Sequence, residues 1–247
     1  MHFFKRNKLR RDDISSETMT LGARLIAGIE PKNPITEQFR TLRTNIDFAS
    51  VTKAGVKSLL ISSALPSEGK TTVTSNLAIV YAQQGKKVLL VSADLRRPAV
   101  AATFDINDNY GLTNYLVDSE SDVANIIHPT AVENLDVIIS GPIPPNPAEL
   151  LGSNRMTDLI QNLKSKYDIV LFDVPPFLIV TDAQVLLDKV DGVVLVVSAG
   201  KTTKRALQRT AEIFKIAKAP VIGFVYNDRK NMKVGKNNYS YSYESVN

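Results

Sequence analysis

The residues best suited to chemistry in this chain are Gly69-Lys70-Thr71-Thr72, because of what surrounds them. The apolar run Ser58-Leu59-Leu60-Ile61 leads into Ser62-Ser63-Ala64-Leu65-Pro66-Ser67-Glu68, and an apolar-periodic stretch from Val73 to Gln84 follows. Strand, loop and helix in that order is the context in which such a sequence binds phosphate. Backbone N–H groups of the loop and first helical turn converge on one point, where the helix dipole adds positive potential. Lys70 is placed to reach the β- and γ-phosphates of ATP, and the Thr71 hydroxyl to join the shell of a Mg²⁺ ion. Pro66, Ser67, Glu68, Gly69, Lys70, Thr71 and Thr72 thus form the expected nucleotide cradle. Ala64 stands where the first glycine of G-x-x-x-x-G-K-[ST] belongs, and alanine suits most turn geometries other than a positive φ.

Two acids recur at equivalent places. The buried-strand pattern Lys87-Val88-Leu89-Leu90-Val91 ends in Ser92-Ala93-Asp94-Leu95-Arg96-Arg97-Pro98, and Asp168-Ile169-Val170-Leu171-Phe172 ends in Asp173-Val174-Pro175-Pro176. An aspartate at the carboxyl end of a strand beside a phosphate loop is placed to hold Mg²⁺ or its water. Asp94, read alone, also fits a helix-capping residue of a strand-to-helix loop. Asn227 ends the last apolar run, where its amide can read an adenine edge. His2 and His128 have no ligand partners near them in sequence and are read as non-catalytic.

The elements that must position these groups follow from the pattern. Short apolar runs alternate with helical periodicity: helix 34–50, strand 58–61, helix 71–84 closed by Gly85, strand 87–91 and strand 135–140. Short helices and turns over 99–134, including one over 122–128, fill the gap. The rigid loop Gly141-Pro142-Ile143-Pro144-Pro145-Asn146-Pro147 precedes a helix to Tyr167 broken near Gly152. Helix 183–189, strand 192–197, helix 204–218 and strand 221–226 complete the series. The fold class is α/β: an open, mostly parallel sheet with helices on both faces and the nucleotide at the strand carboxyl ends.

Composition bounds the rest. In 247 residues, 44% hydrophobic content supports one packed core, and the net charge of +5 marks no dedicated nucleic-acid binder, so no nucleic-acid partner is expected. Absence of cysteine removes disulfides and thiolate metal sites and fits a reducing, cytoplasmic setting. No apolar run approaches the roughly 18 residues of a membrane span. The domain is expected over 35–228, between an arm over 1–34 and a mobile tail over 229–247. The arm begins Phe3-Phe4-Lys5-Arg6-Asn7-Lys8-Leu9-Arg10-Arg11, which suits either an anionic membrane surface or a solvated strand of chain. In helix 34–50, Glu37, Arg40 and Arg43 fall at i, i+3 and i+6 and by spacing form an ordinary solvated face with one ion pair. The tail carries Tyr239, Tyr241 and Tyr243, three of the eight tyrosines, which beside an ATP site suggest phosphoryl acceptors.

From about Glu37 onward the chain resembles the bacterial tyrosine kinases (BY-kinases) of Gram-positive capsule and exopolysaccharide gene clusters. The phosphate loop, the Val88–Pro98 segment, Asp173-Val174-Pro175-Pro176 and the tyrosine-rich tail occur in that family's order. The resemblance implies a P-loop NTPase fold of the MinD/ParA-like branch, with Lys70, Asp94 and Asp173 as catalytic residues. It further implies that Thr71, Asp94 and Asp173 hold Mg²⁺, and that Tyr239, Tyr241 and Tyr243 accept phosphate from a neighbouring subunit. Glu37, Arg40 and Arg43 match the family's E-x-x-R-x-x-R oligomerisation motif, which implies a ring of identical subunits. Implied partners are the cytoplasmic segment of a membrane adaptor, a polysaccharide co-polymerase, and a cognate tyrosine phosphatase. The implied location is the inner face of the cell membrane, reached through the adaptor. One position departs from the family pattern: Ser92 stands where the first aspartate of Asp-x-Asp is usual, the residue credited with helping to deprotonate the tyrosine. A ParA/MinD-like ATPase and a non-catalytic, nucleotide-gated assembly subunit share the same fold. Against the first stand the tyrosine tail and the absence of a second lysine at Ser63-Ala64-Leu65; Ser92 favours the second.

Overall fold

The computed structural model describes residues 22–51 and 55–228. Tyr239, Tyr241 and Tyr243 and the basic start of the arm lie outside the described residues. In chain order the elements are α1 (Ile26–Ile29), α2 (Pro34–Val51), β1 (Ser58–Ser63), α3 (Lys70–Ala82), β2 (Val88–Ser92), α4 (Val100–Phe104) and α5 (Leu112–Val117). Then come β3 (His128–Pro129), β4 (Leu135–Ile138), α6 (Pro147–Gly152), α7 (Asn154–Lys166), β5 (Ile169–Asp173), β6 (Gly192–Ser198), α8 (Lys204–Ile216) and β7 (Val221–Asn227). The strands form one sheet in the order β3-β4-β2-β5-β1-β6-β7, parallel except for β3 on β4.

Every residue of β1, β2 and β5 is buried, as continuous apolar strands covered on both sides must be. Alternate side chains supply the two halves of the core. Leu59, Ile61, Leu90 and Leu171 pack with α1 to α3, while Leu60, Leu89, Val91 and Phe172 pack with α5, α7 and α8. Helices on both faces are as expected. The order places β5 between β1 and β2, so the carboxyl ends of three adjacent strands deliver the phosphate loop, Asp173 and Asp94 side by side.

Three expectations are corrected. The arm does not end at Pro34: Ala23, Ile26 and Ala27 are buried, so folded structure begins by residue 22. The tie is Asn76 on α3. Its Oδ1 accepts from Ala27 N at 2.9 Å, and its Nδ2 donates to Arg24 O and Thr72 O, each at 2.8 Å. Sequence periodicity hides this, because the segment contributes only one helical turn. Second, the expected helix over 183–189 is a single tight turn, Gln184–Leu186. Arg96 holds the buried Asp182 carboxylate and Gln184 Nε2 donates to Phe177 O, so the chain is pinned at both residues and only a short 3₁₀ turn fits there. Third, residues 122–128 form only a 3₁₀ turn, Val123–Ile126, before His128–Pro129 joins the sheet edge, where a proline is tolerated. His128 is structural as read, with Nε2 3.1 Å from Tyr110 O.

Helix Pro34–Val51 forms as expected, and its motif divides. Glu37 and Arg40 pair on the exposed side, whereas Arg43 turns inward and its Nη1 donates to Val80 O of α3 at 2.9 Å. Asn76→Ala should lower stability by about 2–3 kcal/mol, because Ala27 N and Arg24 O lose their partners in a buried place. Hydrogen exchange at residues 23–30 should accelerate before the core does. Unchanged exchange there would show that the segment is held by other contacts.

Candidate active site

The phosphate loop leaves β1 and enters α3 through two residues with positive φ, Ser67 at 57° and Gly69 at 99°. Glycine adopts that region freely, whereas a serine there costs about 1 kcal/mol and needs support. Support comes from all sides. Ser63 Oγ donates to Leu65 O at 2.7 Å, and Leu65 N donates to Glu68 Oε2 at 2.9 Å. Thr202 Oγ1 donates to Glu68 Oε1. Asn227 Nδ2 donates to Glu68 O at 2.8 Å, and Lys201 Nζ to Ser67 O at 3.3 Å. Asn227, expected to read a base, therefore already spends part of its amide on the loop.

At the loop's end the expected residues converge. Lys70 Nζ lies 2.9 Å from Asp94 Oδ2 and 3.3 Å from Asp173 Oδ1, and Thr71 Oγ1 donates to Asp173 Oδ2 at 2.7 Å. All are buried or nearly so. Burial works against the Lys70 ammonium, but the charges of Asp173 and Asp94 outweigh it and hold its pKa above the ordinary value. Burial raises the pKa of Asp173, and the Asp94 charge adds to this, against the opposing pull of Lys70 and Thr71. Asp94 is also held by Arg97 N, which donates to its Oδ1 at 3.0 Å.

Ser92 is paired across the ladder with Asp173 and buried, and its Oγ has no hydrogen-bond partner. Next to Asp173 on the sheet, this hydroxyl is a spare polar atom for a further group bound at the site. Among the described residues no group of three or more His, Cys, Asp or Glu gathers anywhere. Two carboxylates and a threonine hydroxyl are a sparse oxygen set that suits Mg²⁺, which keeps several waters and takes phosphate oxygens for the rest. The residues present thus fit a Mg²⁺-nucleotide.

The sequence did not point to several supporting groups. Arg96 clasps Asp182 through Nε at 2.7 Å and Nη2 at 3.1 Å, joining the loops after β2 and β5. Ser62 Oγ donates to Pro175 O at 2.7 Å, and Phe177 N to Ser63 O at 2.9 Å, so the Pro175-Pro176 loop is seated on the phosphate loop. Arg96 lay within the second acidic motif, but nothing in the sequence gave it a partner. Thr202 and Lys201 carried no signal, since each meets the loop across 134 residues of sequence.

Comparison with known proteins agrees with this geometry. A family model described as an AAA domain matches residues 61–220. Tyrosine-protein kinase YwqD of Bacillus subtilis is 46% identical over 215 residues, which is 87% of this chain and 90% of that protein. The chain belongs to the bacterial tyrosine-protein kinases. The putative tyrosine-protein kinase CapB of Staphylococcus aureus is 37% identical to this kinase over 87% of the chain and 92% of CapB. The kinase domain of Escherichia coli tyrosine kinase ETK superposes with a TM-score of 0.80 at 33% identity, covering 97% of this chain and 90% of that one. The septum site-determining protein MinD of Pyrococcus horikoshii, solved with Mg-ADP, shares the fold with a TM-score of 0.60 at 24% identity, covering 69% of each chain. The kinase thus shares its fold with MinD, and no helix among its described residues is long and apolar enough to cross a membrane.

In the nucleotide-free kinase, Lys70→Met would leave Asp94 and Asp173 facing each other without a cation. Unfolding free energy should fall by about 3 kcal/mol, the scale for breaking a buried ion pair from one side. Calorimetry would show it; an unchanged melting temperature would mean that the acids are not ionised together.

Proposed function

We propose that this kinase transfers the γ-phosphoryl group of ATP to Tyr239, Tyr241 and Tyr243 of a neighbouring copy, and thereby regulates capsular or exopolysaccharide synthesis and export. The observation that carries the reading is the contact of Lys70 with both Asp94 and Asp173, with Thr71 bonded to the latter. Lys70 and the amides of residues 66–71 bind the phosphates, and Lys70 leaves its acids to do so. Thr71, Asp94 and, through water, Asp173 are the residues that would hold Mg²⁺, which when bound offsets charge on the transferred group. The phenol oxygen forms a bond to the γ-phosphorus as the bond to the β,γ-bridging oxygen breaks and ADP departs. The phenol proton passes to Asp94 or to water, because Ser92 offers no carboxylate.

Phosphoryl transfer of this kind relies on positioning and charge more than on covalent help. The buried acids and the two-sided support of the loop serve that need. Each phosphate adds about −1.5 to −2 charge to the tail. Three of them would repel the phosphates of the neighbouring site and loosen a ring, which gives a switch. The exposed Glu37–Arg40 pair on α2 supports a contact between copies, with Arg43 holding the helix to α3. Family resemblance supports a membrane adaptor's cytoplasmic segment as activator, a tyrosine phosphatase that resets the tail, and a peripheral place at the inner face of the membrane.

A second reading, a nucleotide-gated assembly subunit of the export complex, is favoured by one observation, the buried and unpartnered Ser92 hydroxyl. The two separate in one experiment. Purified kinase, fused to the adaptor's cytoplasmic segment, is incubated with MgATP and its tail examined by mass spectrometry. Phosphate is expected on Tyr239, Tyr241 or Tyr243 and should be lost in Lys70→Met; equal phosphorylation in that variant would refute the assignment. Ser92→Asp should raise the rate by about tenfold or more, given the 10²–10⁴ range of a positioned base. An unmodified native tail despite bound ATP would leave the assembly subunit.

A further inference from the structure

Glu68 sits inside the phosphate loop, yet its side chain is fully buried and both carboxylate oxygens are already taken. Oε2 accepts from Leu65 N at 2.9 Å, and Oε1 accepts from the Thr202 hydroxyl. That hydroxyl in turn accepts from Ser198 N at 2.8 Å, so a continuous chain of donors runs from the end of β6 into the loop. The carboxylate is thereby committed to the loop backbone and to Thr202. Its neighbour Ser67 holds a φ of 57°, a conformation that a side chain enters only where its surroundings impose it. The ties to Ser67 O and Glu68 O come from the same region, through Lys201 on the β6–α8 connection and Asn227 at the end of β7.

We propose that Glu68 and Thr202 are positioning residues that set nucleotide affinity, by holding the phosphate loop in the left-handed turn at Ser67. The proposal rests on the reading of residues 66–72 as the phosphate cradle. The amides of that cradle bind phosphate well only if they already converge before the ligand arrives. With the strut intact the turn is formed in advance. Without it, Ser67 relaxes to negative φ, the competent loop becomes a minor population, and apparent affinity falls in proportion to that population. Once nucleotide is bound the loop is the same in both cases, so the transfer step itself is untouched. Glu68 thus acts through the loop and not on the substrate.

The test uses the full chain and MgADP as probe, with isothermal titration, steady-state kinetics in ATP and melting temperature measured together. Thr202→Val keeps the shape and removes the hydroxyl. It should weaken MgADP binding by about tenfold and raise KM for ATP equally, with kcat at saturation changed less than about twofold. Thr202→Ser, which keeps the hydroxyl, should restore affinity. Adding Ser67→Gly to Thr202→Val should recover about threefold or more, because glycine takes a positive φ without being held there. Unchanged affinity in Thr202→Val would overturn the proposal. So would a loss that Ser67→Gly fails to relieve, since that would be general destabilisation. Failure of the native chain to bind MgADP would instead overturn the cradle reading.

Discussion

The structure depends on the place where Lys70 stands between Asp94 and Asp173. Three charged groups with little water around them are tolerable only as a mutually compensating set. The sheet exists, in effect, to present them together. Asp94 follows β2, Asp173 ends β5 and Lys70 begins the helix after β1, and only the strand order β2-β5-β1 makes those three ends adjacent. The near-total burial of the three strands then fixes the ends to within small tolerances, because close-packed cores resist sliding.

Around that set hydrogen bonds tie the loops to one another, in addition to apolar anchors such as Phe177 against Phe214. Arg96 with Asp182, Ser62 with Pro175 O, and Glu68 with Thr202 join the connections after β2, β5, β1 and β6. Such polar ties hold an unusual backbone geometry where apolar packing would merely fill space, and that suits loops that must meet a ligand. Ser67 is the clearest case, a residue in a glycine-like conformation supported from two other strands. Ser92 is the opposite case, a buried polar atom left without a partner next to Asp173.

Much of the site was legible in the sequence. Gly69-Lys70-Thr71 between an apolar strand and a helix, and Asp94 and Asp173 at strand ends, are local signals with a direct physical meaning. The alternation of buried strands with amphipathic helices was equally legible, and with it the two-faced sheet. Helix Pro34–Val51 came from its own periodicity, and the break expected near Gly152 is where helix Asn154–Lys166 restarts under a Ser153 cap.

What escaped was decided by contacts between residues far apart in the chain. The docking of residues 22–30 depends on one asparagine on α3, and a single turn of helix has too few positions to show a periodic face. The turn Gln184–Leu186 looked helical because its local propensities allow a helix; anchoring of Asp182 and Gln184 to other loops selects the tighter form. Glu37, Arg40 and Arg43 share a spacing, but which of them faces solvent was settled by the carbonyl of Val80, available only once α3 lies alongside. Local sequence determined which elements form and which chemical groups they carry. The tertiary structure decided which of those groups meet, because hydrogen bonds and burial act over ångströms in space and are blind to distance along the chain.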